Sequence, residues 1–135
     1  MRIGKLPTMA HTRSHPILLV DDDPDLLLMM KTGLENQGYD VLTRESAPTR
    51  DEMSVLDPAV VFMDVNLQEE NGAAVCSAIK RDSHSQHPPV ILISALGEGE
   101  LRRSTEASLA DGCLIKPFTM NSLLVMAEYY TKAHE

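Results

Sequence analysis

A chain of 135 residues with 43% apolar and 24% charged residues has the composition of one ordinary folded domain, which excludes a disordered polymer and needs no disulfide staple. Its formal charge of −8, with no run of lysine or arginine longer than two, argues against nucleic acid as a direct partner. No apolar run approaches the ~20 residues that span a bilayer.

The first fifteen residues carry Arg2, Lys5 and Arg13 but no apolar stretch of signal-peptide length; residues 1–15 read as a poorly ordered tail ahead of one domain over 16–135. The first strand is Ile17 to Val20. Asp23 then caps a helix that Pro24 opens and that runs to about Gln37, because a carboxylate satisfies first-turn amides and proline has none to lose. Leu27, Met30 and Leu34 recur at three- and four-residue steps on its inner face, and Gly38 follows as a stop. Val41 and Leu42 centre a short second strand, and Pro48 to Leu56 gives a short second helix. The third strand, Ala59 to Met63, is introduced by Asp57-Pro58. A loop containing Asn71-Gly72 leads to a helix over about Ala73 to Arg81, with Val75, Cys76 and Ile79 inward. Ser83 to Pro89 is a polar linker, and Val90 to Ile93 the fourth strand. A loop with Gly97 and Gly99 precedes a weakly apolar helix near Glu100 to Ser108. Asp111-Gly112 turns into the fifth strand, Cys113 to Ile115, and Thr119 caps a last helix in which Leu123, Leu124, Ala127 and Tyr130 can pack.

Five apolar strands alternating with five helices predict an α/β fold: a parallel sheet covered on both faces. The doubly wound, flavodoxin-like order 2-1-3-4-5 fits a five-strand chain best. That order sets the C-terminal ends of strands one and three side by side, at the crevice where open sheets bind ligands. The strand ends carry Asp21-Asp22-Asp23, Asp64, Ser94-Ala95 and Lys116-Pro117. Hard carboxylate oxygens without histidine or cysteine suit Mg²⁺, and carboxylates packed together need a cation to neutralise them. Neighbouring side chains on extended backbone point to opposite sides, so Asp21 and Asp22 cannot play identical roles. Asp64 stands alone and is the candidate nucleophile, since aspartate can form an acyl phosphate. Mg²⁺ and Lys116 would neutralise charge and the Ser94 hydroxyl would bond a phosphoryl oxygen; the small Ala95 leaves an entrance for a donor. Each motif alone has a structural equivalent, such as an aspartate that merely caps a helix. Their joint appearance at four strand ends carries the inference.

Other residues read as structural. Asp25, Glu69 and Glu70 are solvated surface charge, and Leu26 to Met30 is core plus docking surface. The five histidines, His11, His15, His84, His87 and His134, lack ligand spacing and are expected to be exposed. Cys76 and Cys113 sit in apolar patterns without a Cys-x-x-Cys pair, so they read as buried free thiols suited to a reducing compartment, the cytoplasm.

From about Pro16 onward the chain resembles the receiver domain of two-component response regulators. Ile17 to Pro24 is similar to the family's first strand and acidic pair. Asp64 with Asn66, Leu67 and Asn71-Gly72 looks like the phosphoacceptor loop, while Ser94-Ala95 and Lys116-Pro117-Phe118 match the Thr/Ser-Ala and Lys-Pro-Phe positions. The resemblance implies that Asp64 accepts a phosphoryl group from a phosphohistidine on a histidine kinase or phosphotransfer protein. It implies Mg²⁺ held by the side chains of Asp22 and Asp64 and the backbone carbonyl of Asn66, with Asp21 helping through water. Ser94 would turn toward the phosphoryl group, and the face of the fourth helix, fifth strand and fifth helix would change shape for a downstream protein. Such a chain has no external substrate and promotes only its own phosphorylation and dephosphorylation; a homodimer is compatible with it.

Three positions depart from the family pattern. Gln68 replaces a loop proline, Leu96 is apolar at a position that influences phosphoryl lifetime, and Cys113 replaces the switch aromatic. Three other functions compete. A haloacid-dehalogenase phosphatase wants a second aspartate where Asn66 stands, and a flavodoxin-like electron carrier wants a phosphate loop after strand one. A receiver that is never phosphorylated has no use for the complete acidic set.

Overall fold

The computed structural model describes residues 15–82 and 87–132; the proposed tail before residue 15, most of the start of the polar linker and the last three residues lie outside them. The strands are β1 (Ile17–Val20), β2 (Val41–Arg44), β3 (Val60–Asp64), β4 (Val90–Ser94) and β5 (Gly112–Ile115). The helices between and after them are α1 (Pro24–Asn36), α2 (Arg50–Leu56), α3 (Gly72–Lys80), α4 (Glu98–Ser108) and α5 (Met120–Lys132). All five strands are parallel and lie in the order β2-β1-β3-β4-β5, as expected from the alternation of elements.

Side chains alternate between the two faces of each strand, and here both faces are dry. Ile17, Leu19, Phe62, Ile91 and Ile93 pack with Leu27, Met30 and Leu34 of α1 and Leu123 and Ala127 of α5. Leu18, Val20, Val61, Met63 and Leu92 pack on the other face with Cys76 of α3, Leu101 of α4 and the partly buried Met53 and Leu56 of α2. Each large side chain fully withdrawn from water there contributes about 1.5–3 kcal/mol. Only apolar residues can fill strands covered on both faces, so the strands read as unbroken apolar runs.

The helix ends follow local chemistry. Asp23 Oδ1 accepts the amides of Asp25 and Leu26 at 3.0 and 3.3 Å, which fixes the start of α1. Its far end closes at Gln37, and Gly38 takes φ of +94°, a left-handed conformation that a glycine adopts without strain. α2 begins at Arg50, two residues later than the expected Pro48. Thr49 and Glu52 form a reciprocal capping box there, with bonds of 3.1 and 2.7 Å. α3 begins at Gly72, capped by Asn71, and α4 begins at Glu98 rather than Glu100. Thr119 Oγ1 accepts the Ser122 amide at 3.0 Å, so it caps α5 as expected. β3 and β4 extend one residue further than predicted, because Asp64 and Ser94 still pair with their neighbours in the sheet.

Candidate functional site

Backbone hydrogen bonds between strand ends bring the polar residues together. The amide of Asp21 bonds the carbonyl of Arg44 at 3.1 Å, that of Val65 the carbonyl of Ile93 at 2.9 Å, and that of Lys116 the carbonyl of Ser94 at 2.8 Å. The loops that carry the candidate residues are thereby held at the sheet edge. The Lys116–Pro117 peptide is cis.

Lys116 Nζ lies 2.9 Å from Asp64 Oδ2, to which it donates a hydrogen bond, and 3.0 Å from Asp21 Oδ2. The second contact is an ion pair whose angle leaves Asp21 Oδ2, a fully buried atom, without a hydrogen bond. The remaining oxygens are oriented by backbone. Asp21 Oδ1 accepts the amide of Asp23 and Asp64 Oδ1 that of Asn66, each at 2.9 Å. Asp22 is partly buried, and one carboxylate oxygen from each of Asp21, Asp22 and Asp64 falls within 4.8 Å of the others. Ser94 is fully buried at the end of β4, and Ala95 beside it is exposed. Asp21, Asp22, Asp64, Ser94 and Lys116 thus occupy one sheet edge, with Asn66 on the adjoining loop.

Burial lifts the Asp21 carboxyl above its ordinary range, overcoming the Asp23 amide and the Lys116 ammonium, which both favour the charged form. Burial also pulls Lys116 down, but the carboxylates of Asp64 and Asp21 outweigh it and hold the ammonium above the ordinary lysine value. Three acidic groups against one ammonium leave an excess of negative charge. With an unbonded buried oxygen on Asp21, this donor set fits a small, hard divalent cation.

Gly72 contributes a contact that the sequence reading treated only as part of a turn. A Cβ at this position would overlap the carbonyl oxygen of Asp64 and lie 2.9 Å from its carbonyl carbon. The Gly72 amide also donates to the carbonyl of Val65 at 2.7 Å. The start of α3 therefore rests directly on the peptide of the candidate nucleophile. An Asn-Gly pair seven and eight residues after a strand-ending aspartate is the only sequence signal for it.

Other expectations fared unevenly. Asp25, Glu69 and Glu70 are exposed, and Leu27 and Met30 are core while Leu28 and Met29 are 64% and 49% exposed. His87 is partly buried with a buried Nδ1, contrary to the expectation of exposure. The exposed His15 bonds the Asp57 carbonyl at 3.0 Å; His11, His84 and His134 lie outside the described residues. Cys76 is buried, while Cys113 is only partly so. A groove of about 870 Å³ runs between α2 and α3, but none of the six candidate residues lines it.

Residues 17–128 match the model of the response regulator receiver domain family. The chain is a response regulator receiver domain. Among its relatives is the DNA-binding dual master transcriptional regulator RpaA of Synechocystis sp., 32% identical over 109 residues that cover 80% of this chain and 45% of the relative. Chemotaxis response regulator CheY4 of Vibrio cholerae is a structural neighbour with a TM-score of 0.72 and 25% identity, covering 87% of this chain and 98% of that one. The BeF3-activated receiver domain of Thermotoga maritima DrrB has a TM-score of 0.71 and 27% identity, covering 88% of this receiver and 98% of DrrB's. The receiver spans about a quarter to a half of the length of the curated relatives it matches. Membership in this family sets aside the phosphatase and electron-carrier readings. No described helix of the receiver is long and apolar enough to cross a membrane.

Proposed function

We propose that Asp64 is the phosphoacceptor of this receiver and that the partner supplying the phosphoryl group is a histidine kinase or phosphotransfer protein in the cytoplasm. The carrying observation is the convergence on Asp64: an ammonium at 2.9 Å, a backbone amide at 2.9 Å and two further carboxylates within 4.8 Å. Asp64 Oδ attacks phosphorus, the bond from phosphorus to the donor's imidazole nitrogen breaks, and its electron pair leaves with the imidazole. The Asn66 amide and Lys116 orient the attacking carboxylate before reaction, so little reorganisation is needed. Lys116, already paired to Asp64, remains beside the oxygens that gain charge. The buried Ser94 hydroxyl donates to a phosphoryl oxygen after a change of rotamer.

Asp21, Asp22 and Asp64, with the backbone carbonyl of Asn66, are the residues that would hold Mg²⁺. When bound, the ion supplies neutralisation of the carboxylates and of the incoming phosphoryl oxygens. The chain acts on no external substrate and drives only its own phosphorylation and dephosphorylation. Occupancy of Asp64 alters the α4–β5–α5 face, which engages a downstream protein or a second copy. Incubation with acetyl phosphate and Mg²⁺ tests the reading: the intact mass should rise by one phosphoryl group, and Asp64→Asn should abolish the rise. An unchanged wild-type mass would leave a receiver that binds partners without being phosphorylated.

A further inference from the structure

Four asparagines occur in the chain, and of these only Asn71 precedes a glycine. That pairing is chemically labile. The amide nitrogen of the following residue can attack the asparagine side-chain carbon, and a glycine has no side chain to hinder it. Here the fold fixes both halves of the pair. Asn71 Oδ1 caps α3 by accepting the amides of Ala73 and Ala74 at 2.8 and 3.1 Å. Position 72 disfavours any side chain, because a Cβ there would overlap the Asp64 carbonyl oxygen. Gly72 is buried, whereas Asn71 and the preceding Gln68, Glu69 and Glu70 are exposed, so water reaches the Asn71 side chain.

The native contacts also hold the reaction in check. The Gly72 amide must lose its proton to attack, and it donates that proton to the Val65 carbonyl in a bond of 2.7 Å. The Asn71 side-chain carbonyl is turned to the first-turn amides of α3. An antiparallel bridge to Asn66 fixes the Asn71 backbone, and Leu67 and Glu70 close the loop between by exchanging bonds of 3.2 and 3.4 Å. Attack therefore requires the start of α3 to open, with the cap bonds and the Gly72–Val65 bond released together.

We propose that Asn71–Gly72 is a site of spontaneous covalent modification, gated by opening of α3, whose isoaspartyl product disables the neighbouring Asp64. Base removes the Gly72 amide proton and the nitrogen forms a bond to Asn71 Cγ. The Cγ–Nδ2 bond breaks, and ammonia leaves with a proton returned by the base. Water then opens the five-membered imide. Cleavage at the side-chain carbonyl gives aspartate, and cleavage at the main-chain carbonyl gives isoaspartate. Aspartate caps a helix as well as asparagine does, and its charge suits a helix N-terminus. Isoaspartate routes the chain through the former side chain, which adds one carbon to the backbone between residues 71 and 72. The cap is lost, and Gly72 no longer keeps both its bond to Val65 and its seat on the Asp64 peptide. The covalent change stands whether or not Asp64 is the phosphoacceptor; its effect on phosphoryl uptake rests on that reading.

The test is to age the full chain in mildly alkaline buffer, folded or in urea, and to map its peptides by electron-transfer fragmentation, which tells isoaspartate from aspartate. Asn71 should lose its amide before Asn36, Asn66 or Asn121. Its loss should be at least about tenfold slower in the folded protein than in urea, because three hydrogen bonds must open first. Protein aged in urea and returned to buffer should take up less phosphoryl group from acetyl phosphate, in proportion to its isoaspartate. It should also show an earlier urea transition of matching amplitude. Isoaspartyl methyltransferase with S-adenosylmethionine, which converts isoaspartate to aspartate, should reverse both losses. Equal rates at Asn71 in the folded and unfolded chain, or earlier loss at another asparagine, would overturn the proposal. So would isoaspartyl protein that unfolds and takes up phosphoryl like fresh protein. Fresh protein that gains no phosphoryl group would overturn the phosphoacceptor reading alone, since the rates and the urea transition still decide the modification.

Discussion

Replacing Lys116 by methionine keeps the bulk of the side chain and removes its charge. The ammonium faces Asp64 at 2.9 Å and Asp21 at 3.0 Å, and the three side chains are 24%, 7% and 0% exposed respectively. Removing one partner of a buried ion pair costs about 3–5 kcal/mol, mostly from stranding the other charge. Here two carboxylates are stranded, but the crevice edge is partly open to water, so the lower bound of about 3 kcal/mol applies. Against a total stability of roughly 5–15 kcal/mol, that loss leaves a folded protein with a much lower urea midpoint. The effect has a cation signature. Without the ammonium the acidic cluster is more negative, so saturating Mg²⁺ should stabilise Lys116→Met more than wild type, by mass action on the folded state. The pH dependence follows from the sign of the shift. The folded-state value of Lys116 lies above its ordinary 10.5, so its stabilisation is complete below 10.5 and disappears only as pH rises through the folded value. The gap between the two proteins should therefore be flat through neutral pH. Equal urea midpoints without Mg²⁺, or equal Mg²⁺ responses, would refute the reasoning.

Gly72→Ala should destabilise by about 3 kcal/mol, the upper end for overpacking, because its Cβ meets the Asp64 carbonyl. It should also slow phosphoryl uptake; a urea midpoint within error of wild type would contradict the contact. The two thiols should separate in iodoacetamide labelling of the native protein near pH 8, with Cys113 modified and Cys76 protected until the chain unfolds. Burial raises the Cys76 thiol above its ordinary 9.0, so it stays protonated there. Its contribution to stability holds below 9.0 and is lost as pH rises through the folded value. Equal labelling rates would show that Cys76 is not enclosed.

What the sequence made legible was whatever a residue determines through its own neighbours. Val60 to Met63 and Val90 to Ile93 declare strands because a sheet covered on both faces tolerates only apolar residues there. Asp23-Pro24 and Gly38 mark α1 by local backbone chemistry. The Thr49-x-x-Glu52 pattern was equally readable and would have placed the start of α2 at Arg50. The start of α4 was not readable, because Gly97 offers no capping side chain and Leu101 supplies the first fully buried contact. Contacts through space were hidden as well. The topology foretold that Lys116 would approach the acidic residues, but not that it bridges Asp21 and Asp64 together. The close approach of Gly72 to Asp64 depends on how α3 docks, which no spacing rule expresses.

The most direct measurement is to reduce the phosphorylated protein with borohydride, which converts an acyl phosphate to an alcohol, and to map the altered residue by peptide mass spectrometry. Modification at Asp64, dependent on Mg²⁺ and on the phosphoryl donor, is the predicted outcome. Modification at Asp21, Asp22 or any other carboxylate in its place, or none at all, would contradict the account.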